Sequence, residues 1–278
     1  YSSAASDVYK RQINNHLKEY INSVEGTELE GLIKPLSSND KIIGRQKEID
    51  DLISELNTKE GIPVLIGDSG IGKVSILAAS QTLNDDIDVL ELKTVPLISK
   101  SDEIEKVFEV LEDTLSKYQL KNKKRRVILF VDDFHIFSKQ LSETMLSDGS
   151  KLGYTISSLR RHFDIVGATS ETEYKKYIQH DDILKIVTKE MYIDELPSET
   201  VFDILKEKSK DLGIDNKISD VMLWSIINQN KQLPYFKEPA KSIDILIFLK
   251  EKNEVTQQVI DDKLIEKVFL DLYGLQVS

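Results

Sequence analysis

The run Pro63-Val64-Leu65-Ile66-Gly67-Asp68-Ser69-Gly70-Ile71-Gly72-Lys73-Val74-Ser75-Ile76 narrows what this chain can fold into more than any other stretch. An apolar segment, a glycine-rich turn and a lysine are followed by helix-compatible residues. Gly67 to Lys73 fits G-x-x-x-x-G-K, the phosphate-binding loop. Glycines permit positive φ and close approach of the backbone to an anion. The loop N–H groups and the next helix N-terminus then face the phosphate, and Lys73 reaches it as a point charge. Candidate nucleotide contacts are therefore Gly67, Asp68, Ser69, Gly70, Ile71, Gly72, Lys73, Val74 and Ser75. The motif's last position calls for a Ser or Thr hydroxyl to bind Mg²⁺. Val74 stands there and offers the metal no oxygen, so Mg²⁺ binding is expected to be weakened.

Composition limits the alternatives. Across 278 residues, 40% are hydrophobic and 31% charged, as in ordinary soluble globular proteins. The length suits two domains, or one large one with a small appendage. Cysteine is absent, which excludes disulfides and thiolate metal sites and suits a reducing, cytoplasmic compartment. A net charge of −11 argues against generic binding to nucleic acid or anionic membranes. The basic run Lys121-Asn122-Lys123-Lys124-Arg125-Arg126 reads as a solvated loop. No stretch approaches the ~20 apolar residues of a membrane span, and no signal peptide is visible. Residues 1–12 read as a non-native leader.

Taken in order, residues 13–40 read as an N-terminal helix, with Ile13, Leu17, Tyr20, Ile21 and Val24 at helical spacing, then a linker whose Pro35 and Ser37-Ser38-Asn39-Asp40 mark a turn. An amphipathic helix through Ile49, Leu52, Ile53 and Leu56 precedes the strand Val64–Ile66. Further strands are expected at Val89–Leu92, Val127–Val131, Phe163–Thr169 and Lys189–Ile193. Between them lie helices at Val74–Leu83, at Asp102–Tyr118, through Ile156 and Leu159, and mainly across Glu171–Ile186. Alternating strands and helices imply a parallel sheet. From Ser198 only helices are expected: Ser198–Leu212, Ser219–Asn230, Pro239–Lys250 and Asp261–Leu272. The fold class is thus α/β, a phosphate-loop three-layer sandwich over 41–195, followed by a small helical lid over 196–253.

A second motif strengthens the glycine loop. The strand Val127–Val131 is apolar throughout and ends in Asp132-Asp133. It is expected to lie beside the loop strand, with Asp132 at the Mg²⁺ and Asp133 polarising the attacking water. Catalytic geometry tolerates little displacement, so an Asp where Glu is usual should slow hydrolysis. His135, two residues on, reads either as a loop or core histidine or as a contact to phosphate or a neighbouring subunit.

With these motifs in place, the chain resembles the Clp-type AAA+ ATPases, and within them the first of two ATPase modules. Ile43-Gly44-Arg45-Gln46-Lys47-Glu48-Ile49 is similar to the family's entry motif, which contacts adenine and so implicates Ile43. Pro63–Ile76 and Ile128–His135 resemble its phosphate loop and acidic strand. Val166-Gly167-Ala168-Thr169-Ser170-Glu171-Thr172-Glu173-Tyr174-Lys175-Lys176-Tyr177-Ile178 resembles the segment that makes Thr169 the γ-phosphate sensor. Leu233–Leu246 resembles the lid, with Ala240 or Lys241 beside the nucleotide. Residues 254–278 resemble the junction opening a second, missing module. No coiled-coil insertion of the disaggregase type is visible in the lid, which leans towards the unfoldase branch. The resemblance implies ATP or ADP with Mg²⁺, a homo-oligomeric ring (a hexamer), and protein substrates or a protease partner; from the charge balance and the lack of an apolar span, neither nucleic acid nor membrane is expected as a partner.

The departures from the family pattern concentrate on function. Beyond Val74 and Asp133, Ile186 and Val187 occupy the positions of the paired trans-acting arginines. Lys185 beside them lacks the planar guanidinium fork. Ile98-Ser99-Lys100-Ser101-Asp102 lacks the pore-loop tyrosine. Three readings follow: an ATP-binding module with weak or lost hydrolysis and a regulatory or assembly role, an active unfoldase module, or a scaffold that no longer binds nucleotide. A clamp loader or replication initiator would share the fold, but the Glu173-Tyr174 to Tyr177-Ile178 match and the lack of a basic face disfavour it.

Overall fold

The computed structural model describes residues 31–36, 42–84, 86–94, 104–121, 125–138, 163–231, 237–256 and 260–274. The predicted leader and first helix, the pore-loop stretch, residues 139–150, the helix through Ile156 and Leu159, residues 232–236 and the closing 275–278 lie outside them.

Within the described residues the chain divides into two units. The first holds residues 47–67 and 73–192 together with the segment before 40, and the second holds 40–46, 68–72 and 193–278. The first unit is built on six strands: β1 (Ile33–Pro35), β2 (Ile62–Ile66), β3 (Ile87–Leu92), β4 (Arg126–Val131), β5 (Asp164–Thr169) and β6 (Thr188–Tyr192). Their order is β1-β3-β4-β5-β2-β6. All pairings are parallel except β1 with β3. Every residue of β2, and every residue but the first of β4 and β5, is buried. Consecutive buried residues point to opposite faces, so both faces of the sheet are covered, as parallel sheets require. Helices α1 (Gln46–Thr58), α2 (Lys73–Leu83), α3 (Ile104–Lys121), α4 (Glu171–Tyr177) and α5 (Asp182–Val187) accompany the strands. Leu111, Leu115 and Tyr118 of α3 join Val127, Leu129 and Val131 of β4 in one apolar cluster.

Two expectations are corrected here. The acidic strand β4 does not adjoin the loop strand β2, because β5 lies between them. Strand order in a parallel sheet is set by how crossover helices pack, which a strand's own pattern does not carry. The linker around Pro35 is not a turn but the edge strand β1, with Ile33 opposite Leu92 and Pro35 opposite Leu90. An edge strand tolerates a residue without an N–H. The stretch Glu171–Ile186 is mainly helical, as expected, and consists of α4 and α5. Ser170 starts α4 by accepting from the Glu173 N–H at 3.2 Å, an N-cap.

The second unit is helical: α6 (Ser198–Asp211), α7 (Asp220–Asn230), α8 (Ala240–Thr256) and α9 (Asp262–Tyr273). Val201, Leu205, Ile226, Ile245, Leu249 and Phe269 are among the residues of its own apolar core. Ser219 and Asp261 cap α7 and α9.

Candidate functional site

In the first unit the carboxyl ends of β2, β5 and β4 lie in sequence across the sheet. Ile66 pairs with Thr169, and Val131 with Gly167. Open α/β sheets bind ligands at these ends. The Gly67 N–H donates to the Thr169 carbonyl at 3.1 Å, which joins the start of the glycine loop to the end of β5. Lys73, the first residue of α2, donates from Nζ to the Gly67 carbonyl at 2.6 Å. Its ammonium is thereby held over the beginning of the loop. Val74 follows and is 41% exposed. The position that should present a hydroxyl presents two methyl groups to the surface. Ser75 is exposed one residue further on.

Asp132 leaves β4 partly buried, and burial pushes its carboxyl above the ordinary range. The Asp133 N–H, donating to Asp132 Oδ1 at 3.0 Å, and the charge of Lys73 oppose that rise, while the neighbouring Asp133 charge adds to it. Asp133 is exposed, with φ of 50°. That left-handed backbone is uncommon outside glycine but more accessible to Asp than to most residues. It turns the chain sharply into the helical segment 134–138.

This turn is held down by a feature outside the predicted site. Phe134 is fully buried, and a Cβ on Gly167 would lie 2.6 Å from Phe134 Cγ. Only glycine lets the ring settle onto β5. Glycine inside a strand often signals such close approach, and that was the available clue. Anchored this way, the turn brings His135 Nδ1 to 3.0 Å from Thr169 Oγ1. The histidine ring also stacks on Tyr177, with centroids 5.7 Å apart.

The other predicted contacts belong to the second unit. Gly70 has φ of +85°, and a Cβ there would stand 2.9 Å from Ala240 Cβ. Conformation and space both demand glycine. The Ala240 N–H donates to the Gly70 carbonyl at 3.3 Å. Arg45 is 4% exposed and donates from Nη2 to the Ile71 carbonyl at 2.8 Å. Ile71 is buried, Gly72 and Ile43 are half-buried, and Ser69 is exposed. Asp68 meets Lys237 Nζ at 3.7 Å, and Lys237 also lies 3.9 Å from Glu195. Lys241 is turned into the helical interior. It is 5% exposed, and its Nζ donates to the Asn230 carbonyl at 3.0 Å. Glu238, whose carboxyl burial pushes up, lies 4.0 Å from that ammonium and accepts from Ser242 Oγ at 2.8 Å. The Arg45 and Lys237 contacts were not read from the sequence, because their partners lie far along the chain.

The residues suit a nucleotide better than a metal. Positive-φ glycines, and a helix N-terminus that begins with a lysine, are groups able to receive a phosphate. For Mg²⁺, Asp132 retains its carboxylate, but Val74 adds no donor. Among the described residues no group of three or more His, Cys, Asp or Glu side chains is arranged to hold a metal ion. No described helix is long and apolar enough to cross a membrane.

No family model matches the chain. It is 31% identical over 223 residues to the chaperone protein ClpB of Mycoplasmoides gallisepticum, covering 74% of this chain and 30% of that protein. It is 28% identical over 225 residues to ClpB of Aquifex aeolicus, covering 74% of this chain and 22% of that protein. The chain carries a Clp-type AAA+ ATPase module. It spans under a third of the length of these curated relatives. The fold agrees with that of S. cerevisiae Hsp104 solved in an extended complex with casein, at a TM-score of 0.70 and 21% identity, covering 88% of this chain and 45% of that one. A second Hsp104 structure, a closed state with FITC casein, gives 0.67 at 20% identity. The module is thus a Clp chaperone type of α/β sheet unit followed by helices.

Proposed function

We propose that this module binds ATP and ADP through its glycine loop and Lys73, and that it hydrolyses ATP slowly or not at all. It corresponds to the first ATPase module of a ring-forming Clp machine, a hexamer in the cytoplasm, and serves assembly or regulation. Protein substrates, and a protease partner if there is one, would be handled by the machine as a whole. The observation that carries this reading is Val74, exposed where a metal-binding hydroxyl belongs, immediately after a lysine that keeps its place on the loop.

The bound nucleotide would supply the phosphate chain. This chain's own residues hold it and sense it. The loop N–H groups and Lys73 neutralise phosphate charge, Asp132 keeps a carboxylate for the cation that accompanies ATP, and Thr169 offers a hydroxyl to the terminal phosphate. Asp133 stands in the position of the water-polarising acid but is one methylene short. Ile186, 78% exposed at the end of α5, stands where a trans-acting arginine would. Such arginines contribute about 10³–10⁵ in rate, so their replacement supports slow turnover. Ala240 and Ile43 are assigned to the nucleotide by resemblance. Lys241 has the same assignment, although its ammonium is engaged with Asn230.

Calorimetric titration with ATP and ADP, with and without Mg²⁺, followed by steady-state hydrolysis, tests the reading. Binding with turnover at least about 10³-fold below that of a ClpB module is expected. Comparable turnover would establish the active-unfoldase reading instead, and absence of binding the scaffold reading.

A further inference from the structure

We propose that His135 is a positioning residue that fixes the direction in which the Thr169 hydroxyl donates. The inference rests on the nucleotide reading above and adds to it a residue that touches the sensor rather than the phosphate.

The position of the imidazole is set from several sides. Its Nδ1 lies 3.0 Å from Thr169 Oγ1. Its ring stacks on Tyr177 at an interplanar angle of 19°. Ser138 Oγ donates to the His135 carbonyl at 2.9 Å. Phe134, the preceding residue, is seated against Gly167. Thr169 is equally constrained: it is 2% exposed, and its carbonyl accepts from the Gly67 N–H. Two side chains with this little freedom hold one hydrogen bond, and its direction decides what Thr169 can do.

A threonine hydroxyl has one proton and two lone pairs. If Nδ1 accepted that proton, Oγ1 would face an anion with lone pairs only. If Nδ1–H donates to Oγ1, the hydroxyl proton is left for a phosphate oxygen. With its proton at Nδ1, the imidazole therefore turns Thr169 into an outward donor. Hydrogen bonds to charged groups exceed neutral ones in strength, so the orientation matters most when the terminal phosphate is present. His135 thus acts on the discrimination of ATP from ADP.

Two measurements on the 278-residue chain decide it. The first is nitrogen-edited NMR of the histidine side chains in the nucleotide-free protein, with His135 assigned by substitution. Nδ1 is expected to carry the proton, and an Nδ1 that accepts overturns the proposal even if ATP binds. The second is the ratio of ATP to ADP affinity by calorimetry in chelator, where no turnover interferes. His135→Phe keeps a ring to stack on Tyr177 but removes the donor, and should lower the ratio about tenfold. His135→Asn, which restores an N–H near Nδ1, should return it to within about threefold of the parent. A ratio unchanged in His135→Phe overturns the positioning role. Failure of the parent chain to bind either nucleotide overturns the nucleotide reading itself, and is seen before any variant is made.

Discussion

The two ends of the same sheet handle acidic residues in opposite ways. At the amino ends of the strands, carboxylates are closed off by arginines. Asp88, fully buried in β3, receives Arg125 Nε and Nη2, each at 2.6 Å, and the Tyr118 hydroxyl at 2.9 Å. Burial works against the Arg125 charge, but Asp88 outweighs it and the guanidinium pKa ends raised. Arg126 bonds Asp164, the Leu56 carbonyl and Asn57. At the carboxyl ends, Asp132 is partly buried with a backbone N–H from Asp133, and its carboxyl is pushed up by burial. One end uses charge to fasten strands, and the other leaves a half-buried carboxyl whose pKa burial raises. The basic run before β4, read from sequence as solvated loop, is thereby corrected in its last two residues: Arg125 and Arg126 are internal fasteners.

The largest effect that could break this comparison lies at the fastened end. Asp88→Asn would leave Arg125 and Tyr118 without their carboxylate in a buried setting, and should cost about 3 kcal/mol in urea unfolding. A loss under about 1 kcal/mol would mean the pair fastens nothing. Gly167→Ala comes next. Its Cβ would drive into the Phe134 ring, an overpacking of about 2 kcal/mol, and it should weaken ATP binding by shifting the turn that carries Asp132.

Smaller effects are expected at the carboxyl ends of the strands. Because burial raises the Asp132 pKa, the folded state holds that proton more tightly than the unfolded one. Its stabilising contribution is full below the ordinary Asp pKa of about 3.9 and is lost as pH rises through the raised folded value. Asp132→Asn should therefore flatten the decline of stability above about pH 4 while impairing nucleotide binding in Mg²⁺. A steeper decline in the variant would reverse the assignment. Val74→Thr should be smallest in stability, within about 0.5 kcal/mol for an exposed position. Its readout is a gain in the Mg²⁺ dependence of ATP affinity, and an unchanged dependence would show that this position no longer governs the metal.

Read by itself, the sequence determined the glycine loop, the acidic end of β4, the Thr169 strand and the run of C-terminal helices. These are local signals: residue type at fixed spacing, and apolar periodicity within one element. Ser170 before Glu173 and Gly70 within the loop belong to the same class, since each acts on its own turn. What only the tertiary structure decided depends on which elements become neighbours. The place of β5 between β2 and β4, the edge strand at Pro35, the grip of Arg125 on Asp88 and the meeting of His135 with Thr169 all join residues distant along the chain. A strand's pattern records that both its faces are buried but not which strand lies beside it. That choice is made by the packing of the connecting helices and by side chains such as Phe134, which fits only where Gly167 makes room.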